Sequence, residues 1–87
     1  MLTTWRKAIS EAMVGHGETI EDIIHCTLSP EELDVEFDDG YGGSEGKPFT
    51  AWTKSRVYFP VVYDGAEWAA SVPRDPCDES VEHIGGQ

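Results

Sequence analysis

Six carboxylates fall within nine residues: Glu31, Glu32, Asp34, Glu36, Asp38 and Asp39, with no Lys or Arg among them. Side chains of that type and density can bind a hard cation, stay solvated on a helix face, or offer a negative patch to a basic partner. A calcium loop needs acidic ligands at positions 1, 3 and 5 and glycine at 6. With Gly40 as the sixth position, Val35 and Phe37 occupy the first and third. The register fails, which leaves a solvated face or a docking patch. Tyr41 beside the run, or Tyr58, would then be exposed and add an aromatic contact.

Other chemistries fare worse. His25, Cys26, Cys77 and His83 are zinc-competent, but none is spaced as a paired ligand set, and adjacent His25 and Cys26 cannot easily face one ion. Gly40, Gly42, Gly43 and Gly46 superficially match a phosphate loop. Such a loop wants a strand before it, a helix after it and often a lysine. Here acids flank the glycines and the expected order is helix then strand, so a hinge is the better account. The three histidines, His16, His25 and His83, have no spacing that ties them to a nucleophile and an acid. A two-carboxylate hydrolase stays open in principle, but no pair stands out. Rings at Trp52, Tyr58, Phe59, Tyr63 and Trp68 could stack on single-stranded nucleic acid, but that requires a basic groove. Lys47, Lys54, Arg56 and Arg74 are too few for one in a chain of net charge −11. Core packing accounts better for most of these rings.

The elements that would carry these residues follow from pattern. Eighty-seven residues allow one domain with a thin core. Trp5, Ala8, Ile9, Ala12 and Met13 share one face of a helix over 4–14, capped by Thr3 or Thr4 and ended at Gly15. A short helix is expected over 19–26, with Thr19 as cap and Ile20, Ile23 and Ile24 inward. Ser29-Pro30-Glu31-Glu32 opens a third, over 30–38, with Leu33 and Phe37 facing the core. Strands are expected over 49–53, 56–63 and 66–72, with a hairpin at Asp64-Gly65. Pro60 predicts a bulge. The alternation of Trp68, Ala70 and Val72 with Glu67, Ala69 and Ser71 predicts that the Trp68 row faces the helices. Trp5, Ile9, Ile24, Leu33, Phe37, Phe59 and Trp68 form the expected core. The fold class is therefore α+β: two or three N-terminal helices on a three-stranded antiparallel β-meander, with the domain over 1–76 and a loose tail over 77–87.

Charge is lopsided along the chain. Residues 1–46 hold 11 acids and 2 bases, net −9; residues 47–87 hold 6 acids and 4 bases, net −2. Self-repulsion of this size disfavours the compact state but keeps a protein soluble. It argues against direct binding to nucleic acid or an anionic membrane. Two cysteines, no signal-like N-terminus and no membrane-length apolar run predict a reducing cytoplasm.

The stretch from Gly46-Lys47-Pro48-Phe49-Thr50-Ala51-Trp52-Thr53 through Arg56-Val57-Tyr58-Phe59-Pro60-Val61-Val62-Tyr63-Asp64-Gly65-Ala66-Glu67-Trp68 resembles small proteins of bacteriophages and mobile elements. In size, acidity and lack of catalytic residues the chain is similar to phage anti-defence inhibitors, including anti-CRISPR proteins and DNA mimics. That resemblance implies a cytoplasmic, non-enzymatic inhibitor or modulator without metal or cofactor. Its acidic half would meet a basic, nucleic-acid-binding host protein through Glu31, Glu32, Asp34, Glu36, Asp38, Asp39 and Tyr41. The alternatives are a small phage accessory or assembly protein whose acidity only keeps it soluble, and a small enzyme.

Overall fold

The computed structural model describes residues 2–40 and 45–84. Strand β1 (Leu2–Thr3) leads into helix α1 (Trp5–Val14). The Thr4 hydroxyl accepts the Lys7 N–H at 3.2 Å, which satisfies one of the helix's open donors. Trp5, Ala8, Ile9 and Met13 are buried, as the helical spacing predicts.

The second and third expected helices are largely replaced by extended chain. Over 19–26 there is one 3₁₀ turn, Ile20–Asp22, followed by strand β2 (His25–Cys26). This segment is β-branched, and its backbone gains sheet bonds instead: Ile24 N–H donates to Trp52 O at 2.8 Å and Thr27 N–H to Thr50 O at 3.0 Å. Ile24, expected in the core, is exposed. The helix opened at Ser29 has its capping box, with Glu32 N–H on Ser29 Oγ at 3.1 Å and Ser29 N–H on Glu32 Oε1 at 2.8 Å. It lasts one turn, as α2 (Pro30–Leu33). Phe37 then enters strand β3 (Phe37–Asp38), which pairs antiparallel with β1. Leu33 and Phe37 are both buried, but from different elements.

The main sheet contains β2, β4 (Ala51–Trp52), β5 (Arg56–Tyr63) and β6 (Ala66–Pro73), all antiparallel in the order β2-β4-β5-β6. The class is α+β with antiparallel sheet, but not a three-stranded meander: β2 adds a fourth strand at the β4 edge, and β1-β3 forms a separate ribbon. Asp64 (φ 52°) and Gly65 (φ 86°) make the two-residue turn the sequence predicts, with Tyr63 opposite Ala66. No bulge occurs at Pro60, which pairs in register with Ala69. A two-residue turn makes Tyr63, Val61, Phe59 and Val57 the hydrogen-bonded positions toward β6. Pro60 therefore turns its missing donor toward the β4 side, beyond Tyr58, where β4 ends.

That register puts two rows on opposite faces of the hairpin. Arg56, Tyr58, Glu67, Ala69 and Ser71 are buried on the side covered by α1, which packs on β6. Trp68, opposite Val61, lies on the other side and is 38% exposed. The expected facing is reversed. The close helix leaves room for Ala69 and Ser71 but not for an indole. Phe59 shares the outer face and is half-buried, and Tyr58, expected as a possible exposed contact, is fully buried.

The inner core joins Trp5, Ile9, Met13, Leu28, Leu33, Phe37, Phe49, Ala51, Tyr58 and Ala69. The Trp5 ring centroid lies 4.6 Å from that of Phe37 and 4.8 Å from that of Phe49. Its Nε1–H donates to Lys47 O at 2.9 Å. In urea melts, Trp5→Ala should cost about 3–5 kcal/mol. Trp68→Ala should cost about 1 kcal/mol or less, the scale of a cross-strand pair. Equal losses would restore the sequence-based facing.

Candidate interaction surface

The acidic run does not form one helical face. Glu31 is on the short helix α2, Asp34 caps it, Glu36 lies in extended chain and Asp38 is in β3. Nor does the run lack basic neighbours in space. Arg6 from α1 bonds Asp34 through Nε at 2.6 Å and Nη2 at 3.3 Å, and its Nη2 also donates to Pro30 O at 3.2 Å. Lys47 Nζ meets Glu32 Oε2 at 2.5 Å. These bonds hold both carboxyls below their usual range: Arg6 acts on Asp34, while Lys47 and then the Ser29 N–H bring Glu32 down to about 2. Asp38 accepts the Gly40 N–H at 3.0 Å, and the Asp39 carbonyl accepts the Glu67 N–H at 2.8 Å along the outer side of β6. Glu31 and Glu36 are exposed. Tyr41, Gly42 and Gly43 lie outside the described residues.

Polar groups on the inner face of the hairpin all find partners. Arg56 is 8% exposed and makes two bonds to Glu79, Nη1 to Oε1 at 2.9 Å and Nη2 to Oε2 at 2.8 Å. Its Nε donates to Ser71 Oγ at 2.7 Å. The guanidinium lowers the pKa of Glu79. The Tyr58 hydroxyl donates to Glu18 Oε1 at 2.7 Å; burial first, then this bond, raises the pKa of the phenol. Buried Glu67 accepts the N–H groups of Glu45 and Gly46, at 2.5 and 3.0 Å, and so fixes the backbone that lies against Trp5.

The zinc-competent residues stay apart. Cys26 is half-buried and Cys77 exposed, both as free thiols, and His25 lies 5.2 Å from the Trp52 ring between centroids. Among the described residues, no three His, Cys, Asp or Glu side chains gather as a cation site. A cleft of about 590 Å³ is lined by His16, Glu18, Glu21, Asp22, Lys54 and Arg56, among others. Glu18 and Arg56 are already engaged there by Tyr58 and Glu79. Ser55 also lines it, but its backbone N–H is held by Thr53 Oγ1 at 3.2 Å and no hydrogen bond joins its hydroxyl to His16.

The outer face of the sheet was not picked out as a site by sequence reasoning. From β2 to β6 it carries His25, Trp52, Val57, Phe59, Val61, Tyr63, Ala66, Trp68, Ala70 and Val72, as the registers require. None is Asp, Glu, Lys or Arg, in a chain where 26% of residues are charged. Tyr63 and Trp68 are exposed, at 44% and 38%. Val61 is buried yet stands outside the main core cluster. The signal was available: Asp64-Gly65 sets the register, and pairing the two strands from it yields one row without charge.

Among the described residues no helix is long and apolar enough to cross a membrane. Comparison with family models, with curated proteins and with solved structures gives no match.

Two predictions follow from the ion pairs. Glu32 has a folded-state pKa below its ordinary value of 4.5, so its contribution is present above that value and is lost as pH falls toward 2. Glu32→Gln should lower the melting midpoint at pH 7 and narrow the gap to the parent as pH drops through that window; a gap independent of pH would contradict the pairing. Truncation after Asp78 removes the counter-charge of buried Arg56 and should lower the melting midpoint by several degrees, as Glu79→Gln should.

Proposed function

We propose that this is a non-enzymatic acidic binding protein that occupies a basic surface of a partner protein, of the kind that otherwise holds nucleic acid. The observation that carries this reading is the charge balance together with where the bases go. Seventeen acids face six bases, and Arg6, Lys47 and Arg56 are paired with Asp34, Glu32 and Glu79. The surface presented to a partner is thus strongly negative, with Glu31 and Glu36 exposed on the segment first singled out. Such a surface speeds encounter with a basic protein and repels nucleic acid. The likeness to phage anti-defence inhibitors adds a setting to this proposal: the cytoplasm of a host cell. A second reading, a small phage accessory or assembly protein, draws on the charge-free outer face, which suits a lasting protein contact.

The test begins with the protein that co-purifies from the native host and is then purified itself. Glu31→Gln with Glu36→Gln should slow association roughly threefold to tenfold at low salt and flatten its salt dependence, with a smaller effect on dissociation. Asp78→Asn with Glu82→Gln is the matched control, because Glu79 is committed to Arg56. Association that is indifferent to salt, or equal effects of the two pairs, would remove the acidic segment from the mechanism.

A further inference from the structure

We infer that the outer face of the sheet docks a cationic amphipathic helix of the partner, apolar side on Trp52, Phe59, Tyr63 and Trp68 and Lys or Arg side chains over the flanks; this rests on the basic-partner reading above. Charge supplies encounter rate and selectivity, but affinity comes from a few desolvated contacts, commonly aromatic. In this chain the exposed rings and the absence of charge coincide on one face. Helix α1 lies on the opposite side, against β6, while Tyr63 and Trp68 on this face are exposed.

Dimensions and charge select the occupant. Strands β5 and β6 are each eight residues long, so the face runs about 27 Å along the strands. Two strands at about 4.8 Å spacing make it about 10 Å across, widened beside Val57 and Tyr58 by the two residues of β4. A helix is about 10–12 Å wide with side chains, and about 18 residues span 27 Å. One helix of five turns therefore covers the face. A second copy stacked on it would bring together two chains of net charge −11. A cationic helix meets the opposite situation. Asp64 sits at the hairpin tip and Asp75 follows β6, while the tryptophan faces can accept an ammonium or guanidinium from above.

Strand addition at the sheet edges is the weaker mode. Pro60 removes a donor from the open side of β5, and the free side of β6 already gives its Glu67 N–H to Asp39 O.

Three 18-residue probe peptides test this inference: an amphipathic Leu/Lys helix, a Leu/Glu helix of the same pattern, and a Lys/Ser peptide without an apolar face. Binding is read by tryptophan fluorescence and by amide and ring shifts, with buried Trp5 as internal reference. The Leu/Lys peptide should bind at micromolar concentration, shift Trp52, Phe59, Tyr63 and Trp68, and weaken about tenfold or more with Tyr63→Ser and Trp68→Ser. The shift map on the unmutated chain keeps the test valid if that variant is poorly folded. Equal binding of Leu/Lys and Leu/Glu overturns the cationic part. Leu/Lys binding that shifts only residues 31–39 and survives Tyr63→Ser with Trp68→Ser overturns the face while leaving the basic-partner reading intact. No binding of either cationic peptide removes both. A dimer that Trp68→Ser converts to monomer assigns the face to a second copy and overturns the inference.

Discussion

The indole of Trp5 is the contact on which the inner side of the molecule depends. Its partners come from separate stretches: Phe37 from β3, Phe49 just before β4, and the Lys47 carbonyl, 42 residues away in sequence. Gly46 lies so close that a Cβ there would fall 2.5 Å from Trp5 Cζ2, a distance real side chains do not tolerate. Backbone can therefore rest flat on the ring only because residue 46 has no side chain. The buried Glu67 carboxylate completes the arrangement by holding the Glu45 and Gly46 N–H groups from the other direction. One aromatic ring thus fixes the helix, the β1-β3 ribbon and the return of the chain into the sheet.

The same constraint explains what could and could not be read from residue types. The α1 stripe, the Ser29 capping box and the Asp64-Gly65 turn are local signals with one physical solution, and each is present. Residues 19–26 and 34–38 carried helical spacing as well, but spacing does not say whether a neighbouring strand offers backbone partners. Trp52 and Thr50 do so for Ile24 and Thr27, and β1 does so for Phe37. The hairpin was ambiguous for a different reason. One row holds Trp68, Ala70 and Val72, the other Glu67, Ala69 and Ser71, and hydropathy alone sends the first inward. The decision belongs to the distance between α1 and β6, which favours small side chains and lies outside any local pattern.

With the small row inward, the hairpin became chemically inverted relative to hydropathy. Charged Arg56 and Glu67 are inside with Tyr58, while Phe59, Tyr63 and Trp68 stand on the outer face. Burying a charge costs several kcal/mol unless it is paired and hydrogen-bonded. Here every such group meets that condition: Arg56 has Glu79 and Ser71, Glu67 has two backbone donors, and the Tyr58 hydroxyl has Glu18. Among the described residues no buried side-chain polar atom lacks a partner. Long-range bonds of this kind pin particular segments to particular places, which suits a small chain with few apolar contacts to distribute.

Inversion also divides labour among the carboxylates and the rings. Asp34 and Glu32, counted at first as surface for a partner, tie the α2 segment to α1 and to Lys47. Glu79 anchors the segment after β6 to the sheet. These acids serve the fold, and the charge left for a partner sits on side chains such as Glu31 and Glu36. Charge at that exposure acts over about 8 Å at physiological salt and changes encounter more than lifetime. A lasting contact needs apolar area, and the sheet face carrying Trp52, Phe59, Tyr63 and Trp68 is where the fold leaves it. Net charge that repels a second copy and a charge-free aromatic sheet face are the two features on which the proposed partner, basic to approach and apolar to stay, rests.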